Sequence, residues 1–103
     1  MERTAINPHS WTIALGFDEA ELIEGHQRQL VCSGQDAVDA DGNPQHPGDM
    51  AAQIELALDN LEALVGAADM TLANVVRLNV YTTDIVAALP AQLLVMLEAT
   101  AVD

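Results

Sequence analysis

Lysine does not occur in this chain of 103 residues, and Arg3, Arg28 and Arg77 are its only strong cations. Sixteen acids oppose them, for a formal net charge of −13. Three scattered cations cannot form a basic stripe, and a field of this sign repels polyanions. Neither nucleic acid nor an anionic membrane is an expected partner. Aromatics are almost as scarce, with Trp11, Phe17 and Tyr81 the only ones, so the core must be built from Leu, Val, Ile, Ala and Met. Cys32 is the single cysteine, which excludes a disulfide framework within the chain. No apolar stretch approaches the roughly 20 residues that a membrane-spanning helix needs. Met1-Glu2-Arg3-Thr4 leads into polar residues rather than an apolar signal core. A soluble, cytoplasmic protein is expected.

What is present is a surplus of apolar residues. Half the chain is hydrophobic and 18% is charged. The length fits one domain, residues 1–103, and a small domain buries a smaller share of its surface than a large one. Self-association is the economical way to cover the remainder.

The pattern along the chain mixes strands and helix. Residues 1–10 read as an irregular lead-in broken at Asn7-Pro8. Trp11 to Leu15 reads as a first strand, and Glu21 to Glu24 as a second candidate. Gln29 to Ser33 is a short apolar strand stopped at Gly34, which Asp36 to Asp39 would continue beyond a kink. Asp39 to Pro44 is a turn in which Gly42 supplies positive φ and the Asp and Asn side chains bond local backbone. Asp49 is the expected N-cap of a helix. Its apolar stripe is Met50, Ile54, Ala57, Leu58, Leu61, Leu64 and Val65, with Gln53, Glu55, Asp59 and Glu62 outside it and Gly66 at the fraying end. Asn74 to Thr82 alternates Val76, Leu78 and Val80 with Arg77, Asn79 and Tyr81, the signature of a strand. Strand, helix, strand in that order favours a right-handed crossover. Leu93 to Val102 is a last strand, apolar on both faces and therefore central or doubly covered.

Few constellations carry chemistry. Asp39, Asp41 and Asn43 have the spacing that opens an EF-hand loop, but Pro44 stands where its glycine belongs and Met50 where its bidentate glutamate belongs. An ordinary Asx-rich turn is the better reading. His9, His26 and His46 lie in loops without ligand spacing, so no metal is expected. Cys32, at the end of an apolar strand, reads as a small buried hydrophobe rather than a nucleophile. Ser33 sits where a strand stops at glycine and could present its hydroxyl to a ligand. Arg77 either pairs with one of the many acids or anchors a carboxylate, for which its planar fork is suited. There is no phosphate loop and no triad.

An ordered set of short matches resembles the RidA (YjgF-like) family. It runs from Asn7-Pro8 through Leu30-Val31-Cys32-Ser33-Gly34-Gln35, Asp41-Gly42, and Asp49 with Ala52-Gln53. It continues through Leu58-Asp59-Asn60-Leu61-Glu62, Asn74-Val75-Val76-Arg77 and Val80-Tyr81-Thr82-Thr83-Asp84 to Ala88-Leu89-Pro90 and Leu97-Glu98-Ala99. The resemblance implies an α+β, chorismate-mutase-like sheet with an outer helix layer on one face, three copies of which close into a trimeric barrel. It further implies ligand clefts between subunits, no cofactor, and hydrolytic deamination of 2-imino or enamino acids to 2-keto acids and ammonia. The alternative is a non-catalytic, metabolite-binding homotrimer; an endoribonuclease role is disfavoured by the charge. Carried over by position, Ser33 and Gly34 match the family's substrate-binding edge. His9, with Trp11 two residues on, falls where the family has a pocket-lining aromatic. Gln35 is a motif residue with an expected structural task.

Two departures bear on catalysis. Deaminating relatives carry a glutamate two residues before the position of Glu98; here that residue is Met96, which cannot orient or activate water. Between Asp84 and Ala88 the family has a second helix and a strand bearing the arginine that binds the substrate carboxylate. A crossover needs on the order of ten residues or more, so a helix–strand segment is missing between 85 and 86. The catalytic residues, and whether the chain is an enzyme at all, stay open at this stage.

Overall fold

The computed structural model describes residues 1–82 and 94–103. The expected gap between Ile85 and Val86 lies outside the described residues. The chain divides into two compact units, 1–29 with 102–103, and 30–101. No described helix is long and apolar enough to cross a membrane.

In the first unit, β1 (Glu2–Ile6) pairs antiparallel with β2 (Ala20–Glu24), from Glu2 opposite Glu24 to Ile6 opposite Ala20. The lead-in is therefore a strand and not irregular. The segment read as a first strand is instead a one-turn helix, α1 (Trp11–Ala14). Gly16, at φ +87°, ends it: the Gly16 N–H donates to the Ile13 carbonyl and the Phe17 N–H to that of Thr12. This is a Schellman closure, for which glycine at positive φ is the usual requirement. The Asn7 side chain organises the connection. Its oxygen accepts from the Glu19 N–H (2.8 Å) and the Thr12 hydroxyl (3.3 Å), and its amide donates to Asp18 (2.9 Å). Thr12 is buried as a result. Arg3 pairs with Glu21, and Arg28 with Asp103.

The second unit is organised around β6 (Val95–Val102). β5 (Val75–Thr82) pairs with one edge of it, and β3 (Gln29–Val31) and β4 (Gln35–Asp36) also pair with it. The Cys32 N–H still reaches the Ala99 carbonyl (2.9 Å), and pairing resumes at Gln35 opposite Leu97. The kink expected at Gly34 is thus an interruption at Ser33-Gly34 between two short strands. β4 and β5 both run antiparallel to β6, so they are parallel to each other, and α2 (Met50–Ala67) is the crossover between them.

Helix α2 starts where expected: the Asp49 carboxylate accepts from the Ala52 N–H at 3.1 Å. Its Ala57, Leu61 and Val65 pack on β6 residues Leu97, Ala99 and Ala101, together with Cys32, Met70, Leu94 and Val95. Each of these is almost fully removed from water, and the Leu, Val and Met side chains among them contribute on the order of 1.5–3 kcal/mol apiece when buried. Three expected positions change. Ile54 and Leu58 lie outside the buried stripe, whereas Gln53, assigned to the solvent side, is fully buried. Its amide donates to the His46 carbonyl (2.9 Å), and its oxygen accepts from the Leu94 N–H (2.7 Å). Buried polar atoms persist when bonded in this way. The helix also runs past Gly66. Asp69, at φ +58°, closes it, with the Met70 N–H on the Val65 carbonyl and the Asp69 N–H on that of Gly66.

In β5 the register shifts between Val75 and Arg77, Val75 lying opposite Ala101 and Arg77 opposite Thr100. Val76 is the extra residue of this bulge, so Val75 rather than Val76 joins the core.

Candidate functional site

The face of β5 and β6 turned away from α2 carries a cluster of polar residues. Opposed residues in an antiparallel pair point to the same side. Arg77 with Thr100, Asn79 with Glu98, and Tyr81 with Met96 therefore share one face, opposite to that of Leu97, Ala99 and Ala101. The period of two in each strand puts these types together; the register that juxtaposes them was not legible from either strand alone. With Val31, Cys32 and Ala99, the residues Arg77, Asn79, Glu98 and Thr100 line an open groove of about 250 Å³.

Within this face the neighbouring Glu98 carboxylate raises the pKa of the Tyr81 phenol. Arg77 makes no ion pair among the described residues, whereas Arg3 and Arg28 each have a carboxylate partner. Burial pushes the Cys32 thiol up, away from a reactive thiolate. Among the described residues no three His, Cys, Asp or Glu side chains come close enough to hold a metal.

Ser33 and Gly34 form the corner between β3 and β4, next to this face. The Gln35 side-chain amide donates to both of their carbonyls, at 3.1 and 3.3 Å, which fixes the corner. Met96 lies directly against Gly34: a Cβ added there would stand 2.9 Å from the Met96 Cγ and closer still to its sulfur. The thioether thus occupies the space beside the corner. His9 and Trp11 belong to the other unit. His9 Nδ1 lies 3.1 Å from Glu19, and Trp11 packs edge-on against Phe17 with centroids 5.9 Å apart. The four residues expected to bind substrate thus divide between the two units, Ser33 and Gly34 in one and His9 and Trp11 in the other.

The family model described as endoribonuclease L-PSP matches residues 20–101. Two solved structures are similar along the chain. One is the conserved Rid family protein YyfB from Yersinia pestis, itself described as of unknown function, at 29% identity and a TM-score of 0.79 over 100% of both chains. The other is Rv2704 from Mycobacterium tuberculosis, a member of the YjgF/YER057c/UK114 family, at 28% identity and a TM-score of 0.56 over 99% of this chain and 100% of that one. Comparison with curated proteins finds no match. By the family model and by both structures, this chain belongs to the endoribonuclease L-PSP family, the YjgF/RidA family.

Proposed function

We propose that the protein is a Rid-family small-molecule binder, assembled as a homotrimer, that takes a small carboxylate metabolite in the clefts between subunits and does not hydrolyse it. The observation that carries this reading is Met96 against Gly34. A thioether fills the place where a deaminating relative would hold an acid over the substrate-binding edge, and it offers neither a proton acceptor nor a charge to activate water. The polar groove beside it still offers donors and an acceptor to a ligand.

Catalytic deamination of 2-imino acids is the second reading. Glu98 favours it, as a carboxylate lining the groove with Arg77. An RNA-cleaving role finds no support in a chain of net charge −13.

The two readings separate in one pair of measurements. An imino acid generated in situ by an amino-acid dehydratase is incubated with the purified protein while ammonia release is followed, and thermal unfolding is recorded with a panel of small carboxylates. The expected outcome is release at the buffer rate together with a ligand-dependent rise in Tm. Accelerated release would replace binding by catalysis, and a Tm unmoved by every carboxylate would remove the binding reading.

A further inference from the structure

We propose that a second groove, between helix α2 and the 35–40 segment, docks a basic amphipathic helix of another protein. It shares no residue with the groove on β5 and β6, so docking there is independent of small-molecule binding.

This groove has a volume of about 600 Å³. One wall is a flank of α2, with Leu56, Ala63, Leu64 and Ala67, and the other carries Val38 and Ala40. The wall positions on α2 stand beside the fully buried stripe of Gln53, Ala57, Leu61 and Val65. A helix rises 1.5 Å per residue, so Leu56 to Ala67 spans about 16 Å, or three turns of a partner helix. The walls are fixed in the free protein. The Asn60 amide donates to the Asp36 and Val38 carbonyls, at 2.9 and 3.0 Å, and ties the segment to the helix.

A partner strand finds little to pair with here. The Asp36 and Val38 carbonyls already accept from Asn60, and the Ala37 carbonyl accepts from the Gln45 N–H (2.8 Å). Strand addition relies on such main-chain groups, whereas a helix docks by its apolar face alone. Ala63 and Ala67, one turn apart, leave space for the side chains of that face. A small ligand is held by burying most of its surface, but Ala40, Ala63 and Ala67 lie exposed along the groove.

Charge selects the partner. Between Arg28 and Arg77 the chain has eight acids and no lysine or arginine. Asp39 lines the groove, and Glu55 and Asp59 line an adjoining hollow that shares Leu56 with it. A second copy of this chain would bring the same acids, with two of its three arginines already held by carboxylates. A helix with leucines on one face and lysines or arginines beside them meets the apolar walls and the acidic borders together.

The test is fluorescence-anisotropy titration of peptides with the whole protein. The peptides have about 15 residues, the length at which an isolated helix begins to hold. The first has leucines along one face and lysines along the other. The second has glutamate for each lysine, and the third is the first in scrambled order. The first should bind, one peptide per chain, and the others about tenfold more weakly or worse. A63R sets a cation in the groove at an exposed helical position and should weaken the first peptide by about tenfold or more. A51R, the same change at an exposed α2 position outside the groove, should leave its binding intact. Equal effects of A63R and A51R would overturn the groove as the site, and so would a scrambled peptide that binds as well as the first. A glutamate peptide that binds equally would overturn the basic partner, and a first peptide that does not bind would overturn the docking altogether. Self-association abolished by A63R and spared by A51R would make a second copy the occupant and overturn the foreign helix. Should A63R fail to fold, the wild-type Ala63 methyl resonance decides: it moves on titration with the first peptide if the groove is the site, and an unmoved resonance with measurable binding overturns the assignment.

Discussion

Asp39 is held in its charged form by the turn that it opens. Its Oδ1 accepts from the Asp41 and Asn43 N–H groups, both at 2.9 Å, and these backbone donors hold its carboxyl below the usual carboxylate range. A group whose pKa is lowered on folding stabilises the fold above its unfolded value, and that contribution is lost as pH falls through the folded value. An NMR titration should therefore place the Asp39 midpoint below that of an aspartate in an unstructured peptide, and D39A should flatten the acid limb of the stability profile. A midpoint at or above the peptide value would contradict the turn geometry. This turn was legible because Asx chemistry is local: Asp39, Gly42 and Asn43 satisfy one another within five residues. The Ser33-Gly34 corner was legible as a corner but not as a contact, because Met96 reaches it from a strand some sixty positions away.

Among the elements, α2 was read correctly in its start and in the Ala57, Leu61 and Val65 part of its core-facing stripe, whereas Ile54, Leu58 and Gln53 were each placed on the wrong side. Periodicity gives Gln53 no reason to be inside; the reason is that the His46 carbonyl and the Leu94 N–H need a partner there. Gly66 suggested the helix end by residue type, yet the positive φ falls at Asp69, whose Schellman closure is sealed by the buried Met70. α1 was read as a strand because Trp, Thr and Ile favour strands, and the Gly16 closure overrode that preference. Replacing Gln53 by leucine keeps the volume but strands two backbone groups, each costing about 1–3 kcal/mol when buried without a bond. Q53L should lower stability by an amount in that range or somewhat above it in urea unfolding, while Q53E, which retains an acceptor for Leu94, should cost less. A Q53L variant as stable as the wild type would mean that water or a neighbour takes over both bonds.

For the whole molecule, composition anticipated the balance between apolar surface and charge. Val31, Leu78 and Val80 stay exposed on the second unit, and Trp11, Ile13, Leu15 and Phe17 on the first, so the apolar surplus does reach the surface. Covering it by self-association brings like charges together, and salt screens that repulsion. Sedimentation should give three times the 11.0 kDa chain mass, with the trimer fraction rising as salt is added. A monomer at all concentrations and salt levels would refute the assembly.

The central place of β6 has a temporal side. β3, β4 and β5 each find their only described sheet partner in this strand, which follows all three in sequence. During synthesis none of those pairings can form until residues 95–102 have been made, and α2 has no sheet to pack against before then. Contacts of such long sequence separation close slowly, so the stretch from β3 to β5 must wait as an acidic, loosely ordered segment. Its surplus of negative charge is well suited to that interval, because it keeps unfinished chains apart until the last strand arrives.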